Sequence, residues 1–145
     1  MSEFEDKYLL NIVRESDIKA PADVTFAAIL EEIGPGFTQM DGTPLGLKLE
    51  AWPGGRWYRD LGNNAGHFWG HVQVIKPGKL LEITGPMFMS FAVASHLQYR
   101  LTEIPGGTHL TVTHKALGEF PPDLKKNVHN GWDHILNRII KRATR

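Results

Sequence analysis

Two side chains in this 145-residue chain stand out for the chemistry they offer, a histidine and a tyrosine set among apolar neighbours. His114 closes the series Leu110, Val112, His114, and Tyr99 sits within Leu97, Tyr99, Leu101. Alternate side chains of a strand reach the same face, so both polar groups fall on an otherwise apolar side of a sheet. Their alternates, His96, Gln98, Arg100, His109, Thr111, Thr113 and Lys115, form a solvent-facing set. An inward histidine titrates near working pH and can exchange a proton with a bound polar group. It can equally be a satisfied core residue that holds the final strand to a helix. The phenol of Tyr99 can orient a ligand carbonyl or bond to the backbone.

Other candidates follow from the same reasoning. Trp132 comes directly after Gly131 inside a helical pattern. Glycine costs a helix about 1 kcal/mol relative to alanine, so its presence there marks close packing or room for a ligand. Arg59 alternates with Trp57 and Leu61, and Arg14 with Ile12 and Ile18. An arginine on an apolar face needs a carboxylate or a bound anion, and Glu82, Asp60 and Glu15 are available. The candidate ligand-binding set is therefore Trp57, Arg59, Phe68, Tyr99, His114 and Trp132, with no residue assigned as catalytic. No cofactor is expected. Seven histidines invite a metal site, but His67 and His71 are four apart in a strand pattern, roughly 13 Å between backbones, and His129 and His134 lie on different sides of a helix. No metal site is expected from local spacing. Walker loop, dinucleotide fingerprint, nucleophile-elbow serine and HExxH motif are all absent.

These side chains have to be positioned by a sheet and one long helix. From Asp123 to Arg145, Leu124, Val128, Trp132, Ile135, Leu136, Ile139, Ile140 and Ala143 recur at helical spacing, with Lys126, Asn130, Asp133, Asn137 and Lys141 opposite. Such a helix is roughly 30 Å long and must lie across an equally large apolar surface. Period-two patterns supply it: strands are expected near 10–19, 47–52, 56–61, 67–76, 79–85, 93–104 and 108–117. Pro53-Gly54-Gly55, Gly62-Asn63-Asn64, Pro77-Gly78, Gly85-Pro86 and Pro105-Gly106-Gly107 separate them as turns, favouring an antiparallel meander. Pro21 opens a helix over 22–33, with Val24, Ala27, Ala28 and Leu30 as its apolar stripe and Gly34-Pro35-Gly36 ending it. The segment Met87, Phe88, Met89, Phe91 is adaptable and apolar, suited to a cover over the cavity mouth, an adhesive surface or edge packing.

Composition narrows the function classes. One domain over 1–145 is long enough to bury a core without staples, and with no cysteine it has no disulfides or thiolate metal sites. Sixteen basic and sixteen acidic residues balance, against the positive excess of a nucleic-acid surface. The basic tail, Lys125, Lys126, Arg138, Lys141, Arg142 and Arg145, reads as a solvated helix face. No apolar run is long enough for a membrane span and the first residues are acidic, so a cytoplasmic location is the expectation.

Five stretches in order carry a family resemblance: Ile18-Lys19-Ala20-Pro21 into Val24-Thr25-Phe26; Pro53-Gly54-Gly55-Arg56-Trp57; Gly70-His71-Val72 leading to Ile75-Lys76-Pro77-Gly78-Lys79-Leu80; Gly107-Thr108-His109-Leu110-Thr111-Val112-Thr113-His114; and Gly131-Trp132. The chain resembles the START-like, or SRPBCC, superfamily, in its branch of homologues of the activator of the heat-shock protein ninety ATPase. The resemblance implies an α+β helix-grip (START-like, Bet v 1-like) fold, a curved antiparallel sheet of about seven strands wrapped around a long C-terminal helix, with an apolar cavity between. Superfamily members bind lipids, sterols, plant hormones or polyketides, and a minority catalyse cyclisation or related chemistry. The expected partner is thus a hydrophobic or amphipathic small molecule. Two alternatives stand beside it: a polyketide-cyclase-like or hydrolase-like enzyme using His114 as general base with Tyr99, and a co-chaperone-like interaction domain. A homodimer or protein partner stays open.

Overall fold

A computed structural model gives the fold and describes residues 3–87 and 91–145. In chain order the elements are α1 (Glu3–Tyr8), β1 (Leu9–Ile18), α2 (Ala22–Ile33), β2 (Leu47–Leu49), β3 (Arg56–Gly62), β4 (Ala65–Lys76), β5 (Leu80–Gly85), β6 (Val93–Ile104), β7 (Gly107–Gly118) and α3 (Leu124–Ala143). Six of the strands run as a meander from β2 to β7, and β1 joins the far edge, giving the order β1-β7-β6-β5-β4-β3-β2 with every pair antiparallel. The sheet curves around α3 in the helix-grip manner, as the resemblance implies. α2 connects the two edges, carrying the chain from β1 to β2.

The inner face is built as the alternation predicts. Leu97, Tyr99 and Leu101 on β6 and Leu110, Val112 and His114 on β7 are buried, joined by Leu10, Ile12 and Ile18 from β1 and Leu81 and Ile83 from β5. Each such aliphatic side chain removed from water contributes roughly 1.5–3 kcal/mol, and the sheet face therefore holds the helices as well as itself.

Three features depart from the sequence reading. α1 precedes the first strand where no element is expected: its six residues bury nothing and show no apolar period, and it is held by the Lys125 ammonium donating to the carbonyls of Glu5 and Asp6. The buried face of α2 is Thr25, Phe26, Ala28, Ile29, Glu32 and Ile33, whereas Val24 and Ala27 face water. Small residues carry little burial energy, so the larger Phe26, Ile29 and Ile33 turn the helix their way. β2 stops at Leu49 because the Glu50 carboxylate replaces its own carbonyl as partner: the Glu50 N–H still donates to the Arg56 carbonyl at 2.9 Å, but the carboxylate accepts from the Arg56 backbone N–H at 2.8 Å and from its guanidinium at 2.8 and 2.9 Å.

Curvature is concentrated in β3 to β5. Pairing slips between Trp57 and Tyr58, between Asp60 and Gly62, and between Val72 and Val74, each slip a bulge that bends the ladder. Gly70 and Gly85 meet at the bend, where a Cβ on Gly85 would lie 2.4 Å from the Gly70 Cα, so neither place tolerates a side chain.

Candidate functional site

α3 is held differently along its length. Its C-terminal half is fixed by Glu32, which is 2% exposed and accepts from Arg138 Nε and Arg142 Nε, both at 3.1 Å. Ile139 and Ala143 are buried there. The N-terminal half packs less completely, with Leu124 and Val128 only partly covered and Trp132 buried. Two polar ties hold it. Arg14 Nε donates to Asp133 at 2.9 Å while its Nη2 donates to His129 Nδ1 at 3.3 Å, and Trp132 Nε1 donates to His114 Nδ1 at 2.9 Å. The carboxylate serving Arg14 is therefore Asp133, on the polar side of α3, and not the Glu82, Asp60 or Glu15 that sequence made available.

Between this half of α3 and the sheet lies a cavity of about 240 Å³. From α3 it is lined by Leu124, Val128, Gly131, Trp132 and Ile135, one helix face at spacings of three and four. β3 and β4 contribute Trp57 and Trp69, β6 and β7 contribute Leu97, Tyr99 and His114, and Ile33, Phe37, Met87 and Phe91 complete the wall. Among the described residues that line it, none is an aspartate, glutamate, lysine or arginine. A Cβ on Gly131 would meet nothing within 4 Å, so this glycine opens space to the cavity and is not a packing contact.

The polar groups of the wall are in two states. Some are spent. An indole N–H can only donate, so His114 Nδ1 must accept from Trp132 and the ring proton sits on Nε2, 3.1 Å from Ser95 Oγ. Burial pushes the His114 pKa down to about 4, and the ring is neutral near pH 7. With both nitrogens engaged, His114 has no lone pair for a substrate proton in this arrangement. Trp57 Nε1 donates to the Ile33 carbonyl at 2.7 Å, capping α2. Two other groups are unspent: Tyr99 Oη and Trp69 Nε1 are buried with no hydrogen-bond partner among the described residues. Burial raises the Tyr99 phenol well above its usual range, so it remains a donor.

Of the six residues expected to bind ligand, Trp57, Tyr99, His114 and Trp132 come together at this cavity. Arg59 and Phe68 do not. They stand on a separate open cleft with Tyr58, Asp60 and His67, where Phe68 is 40% exposed and packs on His71, and Arg59 forms no ion pair among the described residues. For Phe68 the bulge is the cause, whereas Arg59 keeps the parity of Trp57 and pairs with His67 further along the ladder. Trp57 pairs with Gly70 and Tyr58 with Phe68, leaving Trp69 as the extra residue, turned inward in place of Phe68. Trp69 was missed by strict alternation, and the adjacent Gly70 is the signal that could have found it, since glycine within a strand marks bulges. Met87 is buried in the cavity wall and Phe91 stands exposed at its rim, whereas Phe88 and Met89 of the expected cover lie outside the described residues.

A larger cleft, about 960 Å³, lies where the turns at 19–23, 76–80 and 100–107 meet. Lys19, Lys76, Lys79, Arg100, Asp23 and Glu103 rim it, groups that water serves as well as any guest. No helix among the described residues is long and apolar enough to cross a membrane.

Comparison with known proteins agrees with this architecture. The family model described as Activator of Hsp90 ATPase homolog 1-like protein matches residues 19–144. Among solved structures, a protein from Rhizobium leguminosarum is similar at 18% identity with a TM-score of 0.71, covering 94% of this chain and 95% of its own. CalU16 from Micromonospora echinospora is similar at 22% identity and TM-score 0.63, covering 90% and 71%. Ara h 8.0201 is similar at 14% identity and TM-score 0.65, covering 94% and 98%. At such identities the likeness is one of fold. No curated protein matches.

Proposed function

Because the chain belongs to the Activator of Hsp90 ATPase homolog 1-like family, whose fold here leaves room between sheet and helix, we propose that it binds a small, uncharged, largely apolar molecule in that space. The observation that carries this reading is the cavity wall: tryptophan, phenylalanine and aliphatic side chains around about 240 Å³, without a charged group. A buried charge on the guest would have no counter-ion and would cost several kcal/mol. Apolar contact supplies the affinity instead, at about 25 cal/mol for each Å² taken from water. Space of this size suits a guest of two or three fused rings, and Gly131 widens it by withholding a side chain. The spent nitrogens of His114 support binding over proton transfer.

The protein carries its own reporter. Trp57, Trp69 and Trp132 line the cavity, and only Trp52, 57% exposed, stands apart. Titration with fluorene, a neutral three-ring hydrocarbon, is expected to quench tryptophan emission saturably at one molecule per chain. Gly131→Leu, which places an isobutyl group in the open space, is expected to abolish the quenching while leaving the fold intact by circular dichroism. Unchanged emission in the wild-type protein, together with native mass spectra free of any copurified molecule, would sink the proposal.

A further inference from the structure

We infer that the molecule held in this cavity carries an uncharged hydrogen-bond acceptor oxygen, such as a ketone, and that Tyr99 is the residue that receives it. The inference rests on the reading of the cavity as a ligand site and adds to it the polarity of the guest. Tyr99 stands on the inner face of β6, fully buried, its ring edge-on to Trp132 at 5.9 Å between centroids. Its hydroxyl has lost water and gained no partner among the described residues, a state that is costly for a buried polar group. The neighbouring polar groups do not relieve it, since the Trp132 N–H is given to His114 and the His114 Nε2 proton faces Ser95. A protonated phenol donates more strongly than it accepts, so what it lacks first among these apolar walls is an acceptor, and the cavity beside it is where one can arrive.

The chemistry also excludes a carboxylate. Tyr99 alone cannot balance a full negative charge, and no lysine or arginine reaches the lining. Trp69 Nε1 is a second partnerless donor, but it lies at a different level of the sheet: Tyr99 is opposite Leu81 and Leu81 opposite Ile75, well along β4 from Trp69. The two donors can therefore be tested apart.

The test compares fluorene, 9-fluorenone and fluorene-9-carboxylate on the full chain, by tryptophan quenching and calorimetry, in wild type, Tyr99→Phe and Trp69→Phe. A carbonyl is costlier to desolvate than a methylene, so without a partner the ketone binds no tighter than the hydrocarbon. The expected result is a ketone about fivefold tighter than fluorene in wild type, a preference lost in Tyr99→Phe and kept in Trp69→Phe, with no binding of the carboxylate. Fluorene bound as tightly as the ketone in wild type would overturn the inference and leave the binding function standing. So would a preference surviving in Tyr99→Phe, or a carboxylate that binds like the ketone. Failure of both neutral molecules, with native mass spectra free of any copurified molecule, would remove the binding function itself.

Discussion

Trp132 Nε1 lies 2.9 Å from His114 Nδ1, and this one bond fixes the ring's tautomer while tying α3 to β7. Two of its consequences are measurable. With burial holding the His114 pKa at about 4 against 6.5 in the unfolded chain, the unfolded state takes up a proton first as pH falls. Stability from this group is therefore complete above pH 6.5 and lost progressively down to pH 4, by about 3 kcal/mol in all. His109, on the outer face between Glu15 and Asp17, has its pKa raised by the Asp17 and Glu15 hydrogen bonds, and it favours folding as pH falls. Comparing urea midpoints of wild type and His114→Gln from pH 7 to pH 4 cancels that opposing slope, and the variant is expected to show the flatter profile.

Removing the donor tests the same bond from the helix side. Trp132→Phe keeps the ring contact with Tyr99 and strands His114 Nδ1, at an expected cost of about 1–3 kcal/mol in denaturant unfolding. A loss below 0.5 kcal/mol, on the order of a surface change, would mean that the tie is not made in solution.

Tyr99→Phe is expected to behave in the opposite sense. Most buried tyrosines lose stability when the hydroxyl is deleted, but this one has no partner among the described residues to lose. Without ligand, the variant should match wild type or exceed it by up to about 1 kcal/mol in thermal and urea unfolding.

Gly131→Ala should also stabilise the empty protein. The added methyl meets nothing within 4 Å and the helix gains alanine's propensity, together about 0.5–1 kcal/mol. Destabilisation would show that the space is closed in solution.

At the far end of α3, Glu32→Gln is expected to cost about 1–3 kcal/mol, because a buried carboxylate shared by Arg138 and Arg142 is replaced by a neutral amide. The partial exposure of both arginines keeps the figure below that of a fully buried pair. Urea unfolding of this variant beside Arg138→Ala and the double substitution measures the coupling directly.

What could be read from the sequence, and what could not, divides along physical lines. Strand and helix limits were legible wherever a change of period met a glycine or proline turn, and α2 spans 22–33 as expected. The inward placement of Tyr99 and His114 was legible because β6 and β7 pair without interruption. Alternation failed at Trp69 and Phe68, where a bulge shifts one strand against its neighbour, and it says nothing of how far along β3 the cavity reaches, which leaves Arg59 outside. The Glu32 clamp and the Arg14–Asp133 pair were hidden for another reason. Their members are about a hundred positions apart, and nothing local to either one announces the other.

The pairing of β1 with β7 has a kinetic meaning. Leu9 faces Leu117 and Ile18 faces Thr108, so β1 waits until α2 and the strands β2 to β6 have been made before its mate exists. Closing so long a loop early costs entropy before any contact rewards it, which places this seam late in assembly and slows it. The nascent chain meanwhile carries an unmatched ladder of Leu10, Ile12 and Ile18, the stretch most exposed to misassembly until the last hairpin arrives.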